Sequence, residues 1–145
     1  MWYKDLTRHD FLGRKQWKHL FGEENPPSPT AVGWLENGKP YITGETSKIF
    51  CEKLLDFINT PGIYYGALRI HECDFCNNKL IDGFGSKTNL VAHKNKVYIF
   101  PDLIIHYIND HAYLPPAEFI EAVLTSTPQQ AIEYLTKMRE NRIIK

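Results

Sequence analysis

The chain has 145 residues, of which 43% are hydrophobic and 23% charged, and its 17 basic and 17 acidic residues give a formal net charge of zero. A chain of this length buries about two-thirds of its unfolded surface, so folding does not require a metal or a disulfide. Zero net charge argues against a broad surface for nucleic acid or anionic lipid, which needs a basic excess. We therefore expect a single soluble domain over residues 1–145.

Localisation follows from what the sequence lacks. No apolar run approaches the roughly 20 residues of a membrane span, and residues 1–5 have no apolar signal-peptide core. The three cysteines, an odd number, fit poorly with the disulfide framework of a secreted protein. We predict a cytoplasmic protein without membrane association.

The first third of the chain predicts one helix and one hairpin. Residues 1–22 carry a weak helical pattern of apolar positions, and the prolines of residues 23–31 predict a loop. A short strand is predicted at 31–35. The Asn-Gly pair at 37–38 predicts a turn into a return strand at 41–42, because both positions tolerate positive φ.

The middle of the chain predicts a helix and three further strands. Thr46 or Ser47 is expected to cap an amphipathic helix that stops near residues 59–62. A strand is predicted at 64–70, and two short strands, 90–93 and 96–100, are predicted around a polar turn.

Three helical segments follow. Pro101 is predicted to open the first, since a proline at the first helical position loses no hydrogen bond, and Pro115-Pro116 starts the second. Thr127 and Gln130 form a capping box for a last helix over about 128–142. Together the elements predict an α+β fold, with short antiparallel strands or hairpins packed with three to four helices.

The most specific chemical feature is Cys73-x-x-Cys76, followed by His106 and His111. Two thiolates at this spacing can face one tetrahedral ion, and two histidines can complete it. A predicted hairpin and then a helix separate the two pairs, which is the order of a treble-clef-like zinc knuckle. We therefore predict a zinc site formed by these four residues.

Helix geometry sets a condition on the histidine pair. Residues five apart on a continuous helix point about 140° from each other. We therefore expect the helix from Pro101 to end by Asn109 or Asp110, so that His106 and His111 can converge.

Alternatives to zinc remain open. Cys73 and Cys76 can be free thiols beside structural histidines, or a redox dithiol, although Cys-x-x-Cys does not open a predicted helix as in thioredoxin-like motifs. His71, two residues before Cys73, can support a ligand or replace one. Four protein ligands would leave no open position, so we expect the zinc to be structural rather than catalytic.

The sequence also resembles a family of uncharacterised bacterial proteins, catalogued as a domain of unknown function. The resemblance covers about residues 2–124, and the C-terminal helix lies beyond it. It rests on these stretches: Trp2–Thr7, Val32–Leu35, Thr43–Glu45, His71–Cys76 and Val97–Phe119. It implies no activity, but it places the cysteine pair and the histidine pair among the characteristic residues of one family.

Two functions are consistent with these observations. The first is a non-enzymatic protein-binding module, an adaptor or immunity-like protein with a structural zinc and an unidentified protein partner. The second is a hydrolytic enzyme that uses a metal or a Cys/His pair. We favour the module and expect no catalytic residues.

Overall fold

The computed structural model describes residues 2–9, 29–61, 64–66, 73–76, 87–94 and 96–140. The apolar positions on which the predicted N-terminal helix rests, residues 11–21, lie outside these ranges.

Within the described residues, four strands form one mixed sheet in the order β1-β4-β3-β2. The strands are β1 Pro29–Ala31, β2 Tyr64–Gly66, β3 Lys87–His93 and β4 Lys96–Pro101. β3 pairs antiparallel with β2 and β4, whereas β1 pairs parallel with β4. The predicted hairpin around residues 94–95 is therefore confirmed, and its register runs from Thr88 opposite Pro101 to His93 opposite Lys96.

The predictions for residues 23–42 are partly wrong. The strand lies at Pro29–Ala31, inside the predicted loop, and no strand covers 32–35. The turn forms, with the N–H of Lys39 donating to the carbonyl of Glu36 at 3.1 Å. No return strand follows at 41–42, because the next paired residue, Thr43, bridges Tyr113 instead of residues 31–35.

Four helices lie in the described residues: α1 Lys48–Asn59, α2 Ile104–His111, α3 Ala117–Thr125 and α4 Pro128–Glu140. The Ser47 side chain caps α1 by accepting the N–H of Phe50 at 3.1 Å. The capping box of α4 is confirmed, since Thr127 N–H donates to the Gln130 side chain at 2.8 Å, and Gln130 N–H reaches the Thr127 hydroxyl at 3.4 Å. Helices and sheet together confirm an α+β fold.

The prediction for Pro101 is wrong. This residue ends β4, and α2 begins three residues later at Ile104. Pro101 closes the β3–β4 ladder opposite Thr88.

The core lies between the sheet and the helices. The ring of Phe119 on α3 lies edge-on to Phe50 of α1 and to Tyr98 and Phe100 of β4, with centroid distances of 5.4–6.2 Å. α1, α3 and α4 all contact β3, and α1 also contacts α2. Among the described helices, none has the length and apolar character to cross a membrane.

The N-terminal segment runs along β1. Ala31 donates its N–H to Thr7 at 2.7 Å and accepts that of Leu6 at 2.8 Å, while His9 donates to Pro29 at 2.9 Å. These bonds satisfy backbone groups of β1 that face away from β4. The segment therefore protects an edge of the sheet that would otherwise be open to pairing with another chain.

Candidate metal centre

The Cys73–Cys76 turn packs on α2 through its aromatic residue. The N–H of Cys76 donates to the carbonyl of Cys73 at 3.4 Å, which closes the turn. Between them, the Phe75 ring lies 5.1 Å from His111, 5.5 Å from Tyr41 and 6.1 Å from Tyr107, measured between centroids. Apolar packing of Phe75 thus places both thiols above the helix.

The helix that carries the histidines is amphipathic. Ile104, Tyr107 and Ile108 are buried in the core. His106 is also buried, with 8% of its surface exposed, whereas Asn109 and Asp110 face solvent. The imidazole of His106 is therefore held at the edge of the core, where polar groups need partners.

The expectation that this helix ends before His111 is wrong, since α2 includes His111 as its last residue. The two histidines nevertheless converge. The carbonyl of Tyr107 accepts the N–H of both Ala112 and Tyr113, five and six residues on, and Ala112 has a left-handed φ of 52°. These bonds end the helix directly after His111. The ring centroids of His106 and His111 lie 5.0 Å apart.

Four candidate ligand atoms converge at this point. The Sγ of Cys76 lies 3.1 Å from the Nε2 of His111 and 3.3 Å from the Nε2 of His106. The Sγ of Cys73 lies 3.3 Å from the Nε2 of His111. All four atoms lie within 4.8 Å of one another, so the cluster could hold a metal ion.

Two further groups fix the histidines. The Nδ1 of His106, on the ring edge away from Cys76, lies 2.8 Å from the Oδ2 of Asp110. The hydroxyl of Tyr41 donates to the backbone carbonyl of His111 at 3.1 Å. One histidine is thus held through its ring and the other through its backbone and the packing of Phe75.

Burial favours the neutral form of two of these groups. Burial raises the pKa of the Cys73 thiol above its ordinary 9.0, the Cys76 thiol adds to the rise, and the Phe75 N–H opposes it. Burial, and then the charge of His106, lower the pKa of His111 below 6.5, and Asp110 opposes this. A neutral imidazole is ready to ligate, while the thiols must release protons to a cation.

The structure brings together Cys73, Cys76, His106 and His111, the four residues that the sequence proposes as ligands. His71, the proposed supporting residue, lies outside the described residues. Elsewhere, Cys51 contacts the Thr46 hydroxyl at 3.3 Å, away from the cluster.

Sequence reasoning missed the contacts of Asp110 and Tyr41. The spacing of Asp110, four residues after His106 on a helix, is a signal that could have been used, because such residues share one face. No sequence signal points to Tyr41, which precedes His111 by 70 residues.

A donor set of two thiolates and two imidazoles suits borderline-soft cations in tetrahedral coordination. The treble-clef-like order is also present, since the cysteine turn precedes the β3–β4 hairpin, which precedes α2.

A comparison with protein-family models gives one match over most of the chain. The model described as "Domain of unknown function (DUF7919)" matches residues 1–124. This range includes all four cluster residues and leaves α4 outside. No curated protein and no solved structure matches the chain.

Proposed function

Because the chain belongs to the DUF7919 family, a domain family of unknown function, we propose its function from its metal centre and its surface. The protein is a non-enzymatic protein-binding module in which Cys73, Cys76, His106 and His111 hold a structural zinc ion. The observation that carries this proposal is the convergence of two Sγ and two Nε2 atoms within 4.8 Å.

The distances suit a tetrahedral zinc ion. With Zn–S bonds of about 2.3 Å and Zn–N bonds of about 2.0–2.1 Å, neighbouring ligand atoms lie about 3.3–3.8 Å apart. Three of the four Sγ–Nε2 distances are 3.1–3.3 Å. For these three contacts, a shift of a few tenths of an ångström reaches the tetrahedral separation.

A structural role follows from the number and origin of the ligands. Four protein ligands complete a tetrahedron and leave no position for a water or a substrate. The ion would join the cysteine turn to α2, two segments that otherwise meet through Phe75 and the hydrogen bonds of the thiols. The metal would thus stabilise the tertiary arrangement of residues 73–76.

The competing function is a hydrolytic enzyme. The same Sγ–Nε2 distances of 3.1–3.3 Å are those of a thiol and an imidazole acting as nucleophile and base. A catalytic metal would instead keep three protein ligands and a water. Ligand number therefore separates the two functions.

Zinc content of the purified protein tests the metal. We expect one zinc per chain in the wild type and in Cys51→Ser, because Cys51 lies outside the cluster, and far less in Cys73→Ser. X-ray absorption should give two sulfur and two nitrogen ligands. A wild-type protein that neither contains nor takes up zinc contradicts the proposal, and a ligand set of three protein atoms and one oxygen favours the enzyme.

Support for a protein partner comes from an apolar groove of about 380 Å³. Its lining includes Trp2, Tyr3, Tyr41, Ile42 and Pro115. Ile42 is 69% exposed at this groove. Aromatic rings with one face in a groove are typical anchors for a protein segment. Tyr41 lines the groove and also donates its hydroxyl to the backbone carbonyl of His111 at the metal centre.

A pair of isoleucines allows a matched test of this groove. Ile42 lines it, whereas Ile49, 66% exposed on α1, does not. We expect a partner isolated from source cells to bind the purified wild-type and Ile49→Ser proteins in a direct titration, and to bind Ile42→Ser at least tenfold more weakly. Equal binding by the two variants, or no partner for the wild type, contradicts this part of the proposal.

A further inference from the structure

Asp110 contacts a buried histidine of the metal centre. Its Oδ2 lies 2.8 Å from the Nδ1 of His106, and the two residues are four apart on α2. The Asp110 side chain is 59% exposed, whereas that of His106 is 8% exposed. A carboxylate at the surface therefore contacts the buried imidazole of His106 at its Nδ1.

The two nitrogens of His106 have distinct partners. A carboxylate accepts only, so the short contact requires a proton on Nδ1. In the neutral ring Nε2 then carries the lone pair, and this atom lies 3.3 Å from the Sγ of Cys76, inside the cluster. Asp110 thus selects the tautomer that can ligate a metal through Nε2.

Orientation is the second consequence of this contact. An imidazole can rotate by 180° about its bond to Cβ, which would exchange Nδ1 and Cδ2 and move Nε2 away from the thiols. The Asp110 contact exists in only one of these orientations. Within the described residues, His111 has no carboxylate at hydrogen-bond distance and is held instead by Phe75 at 5.1 Å and by Tyr41.

We propose that Asp110 is the positioning residue of the metal centre, which holds His106 in the Nε2-ligating tautomer and orientation and thereby raises zinc affinity. The inference rests on the proposed zinc site. Carboxylates that hold metal-ligating histidines in this way typically contribute a factor of about 10–100 to metal affinity.

The test compares two exposed aspartates near the cluster. Asp110→Ala removes the contact with His106 and keeps the helix, since alanine is the best helix former. Asp74→Ala removes a carboxylate in the cysteine turn that is exposed and has no hydrogen-bond contact with either histidine among the described residues. Zinc dissociation constants are measured by competition with a chromophoric chelator at fixed pH.

We expect about 10–100-fold weaker zinc binding by Asp110→Ala and a markedly smaller change for Asp74→Ala. Equal losses in the two variants would show that Asp110 acts only through its charge and would overturn the inference. Asp110→Glu, which retains a carboxylate of greater reach, should recover part of the affinity.

A second measurement does not depend on any variant. Long-range nitrogen–proton spectra of the zinc-loaded wild-type protein report the state of each ring nitrogen. We expect His106 to be protonated at Nδ1 and ligated at Nε2, and the opposite pattern overturns the inference. If the wild-type protein binds no zinc, the proposed function fails; if it binds zinc but Asp110→Ala binds as tightly, only the role of Asp110 fails.

Discussion

The carboxylate of Asp5 accepts a 2.6 Å hydrogen bond from the hydroxyl of Tyr113, which lies 108 residues further along the chain. Its other oxygen accepts the backbone N–H of Gly33 at 3.0 Å. Tyr113 is fully buried, and its N–H donates to the carbonyl of Tyr107 where α2 ends. Asp5 therefore connects the N-terminal segment to a residue two positions after His111.

Replacing Asp5 with alanine should destabilise the protein. The substitution leaves the buried Tyr113 hydroxyl without its acceptor, and an unsatisfied buried donor costs about 1–3 kcal/mol. The Gly33 N–H loses its carboxylate partner but retains the Tyr113 oxygen as an acceptor. We expect a loss of about 1–3 kcal/mol in the free energy of unfolding, measured by urea denaturation. Asp56→Ala, at an exposed position of α1, is the control and should change stability little. A loss for Asp5→Ala no greater than that of the control would contradict the connecting role.

Gly33 and Gly38 provide a matched pair of glycine substitutions. Both have positive φ, 79° and 91°. A Cβ on Gly33 would lie 2.8 Å from the Cδ1 of Ile104, a buried side chain at the start of α2, whereas one on Gly38 would meet nothing within 4 Å.

We expect Gly38→Ala to cost about 1–2 kcal/mol, the strain of a left-handed alanine. Gly33→Ala adds overpacking of about 1–3 kcal/mol to that strain. The measurement is the unfolding midpoint of each variant in urea. Equal losses of stability in the two variants would show that the Ile104 side chain moves away from the new Cβ without cost.

Glu118 should contribute a pH-dependent increment of stability. The hydrogen bond from Lys96 at 2.6 Å, and then that from Tyr98 at 2.8 Å, lower the pKa of Glu118 below its ordinary 4.5. A lowered folded-state pKa means that the stabilisation is present above pH 4.5 and lost as the pH falls through the lowered value.

Because the Glu118 side chain is 39% exposed, Glu118→Gln should cost no more than about 1 kcal/mol at pH 7. The difference between wild type and variant should shrink toward zero in acid. Thermal unfolding from pH 7 down to pH 3 measures it, with Glu133→Gln on the exposed face of α4 as the control. A difference that grows in acid would mean that the carboxylate is destabilising.

Removal of the metal should destabilise the native protein reversibly. A ligand that binds only the folded state contributes about 2.7 kcal/mol when its free concentration is 100 times its Kd. We expect EDTA to lower the Tm of the wild type and of Cys51→Ser, and added zinc to restore it. The Tm of Cys76→Ser should not respond to EDTA. A wild-type Tm that is insensitive to both treatments would count against a structural metal.

Local chemistry determined what the sequence could predict. Ser47 caps α1, and Thr127 with Gln130 caps α4, because these bonds join residues three apart. The β3–β4 hairpin likewise depends on a short turn and two apolar runs. The Cys-x-x-Cys spacing and the histidine pair likewise indicate a donor set, because the residue types and their separations can be read from the sequence.

Tertiary structure decided the rest. The parallel pairing of β1 with β4 joins residues nearly 70 positions apart. Because of this pairing, part of the predicted loop is a strand, and residues 41–42 lack their predicted partner. The residue at which α2 ends could not be predicted from local sequence either. Helical periodicity alone would separate His106 and His111, yet their rings lie 5.0 Å apart, and Phe75 of the cysteine turn packs against His111 at 5.1 Å. Spacing therefore named the four candidate ligands, whereas long-range hydrogen bonds and packing made them converge.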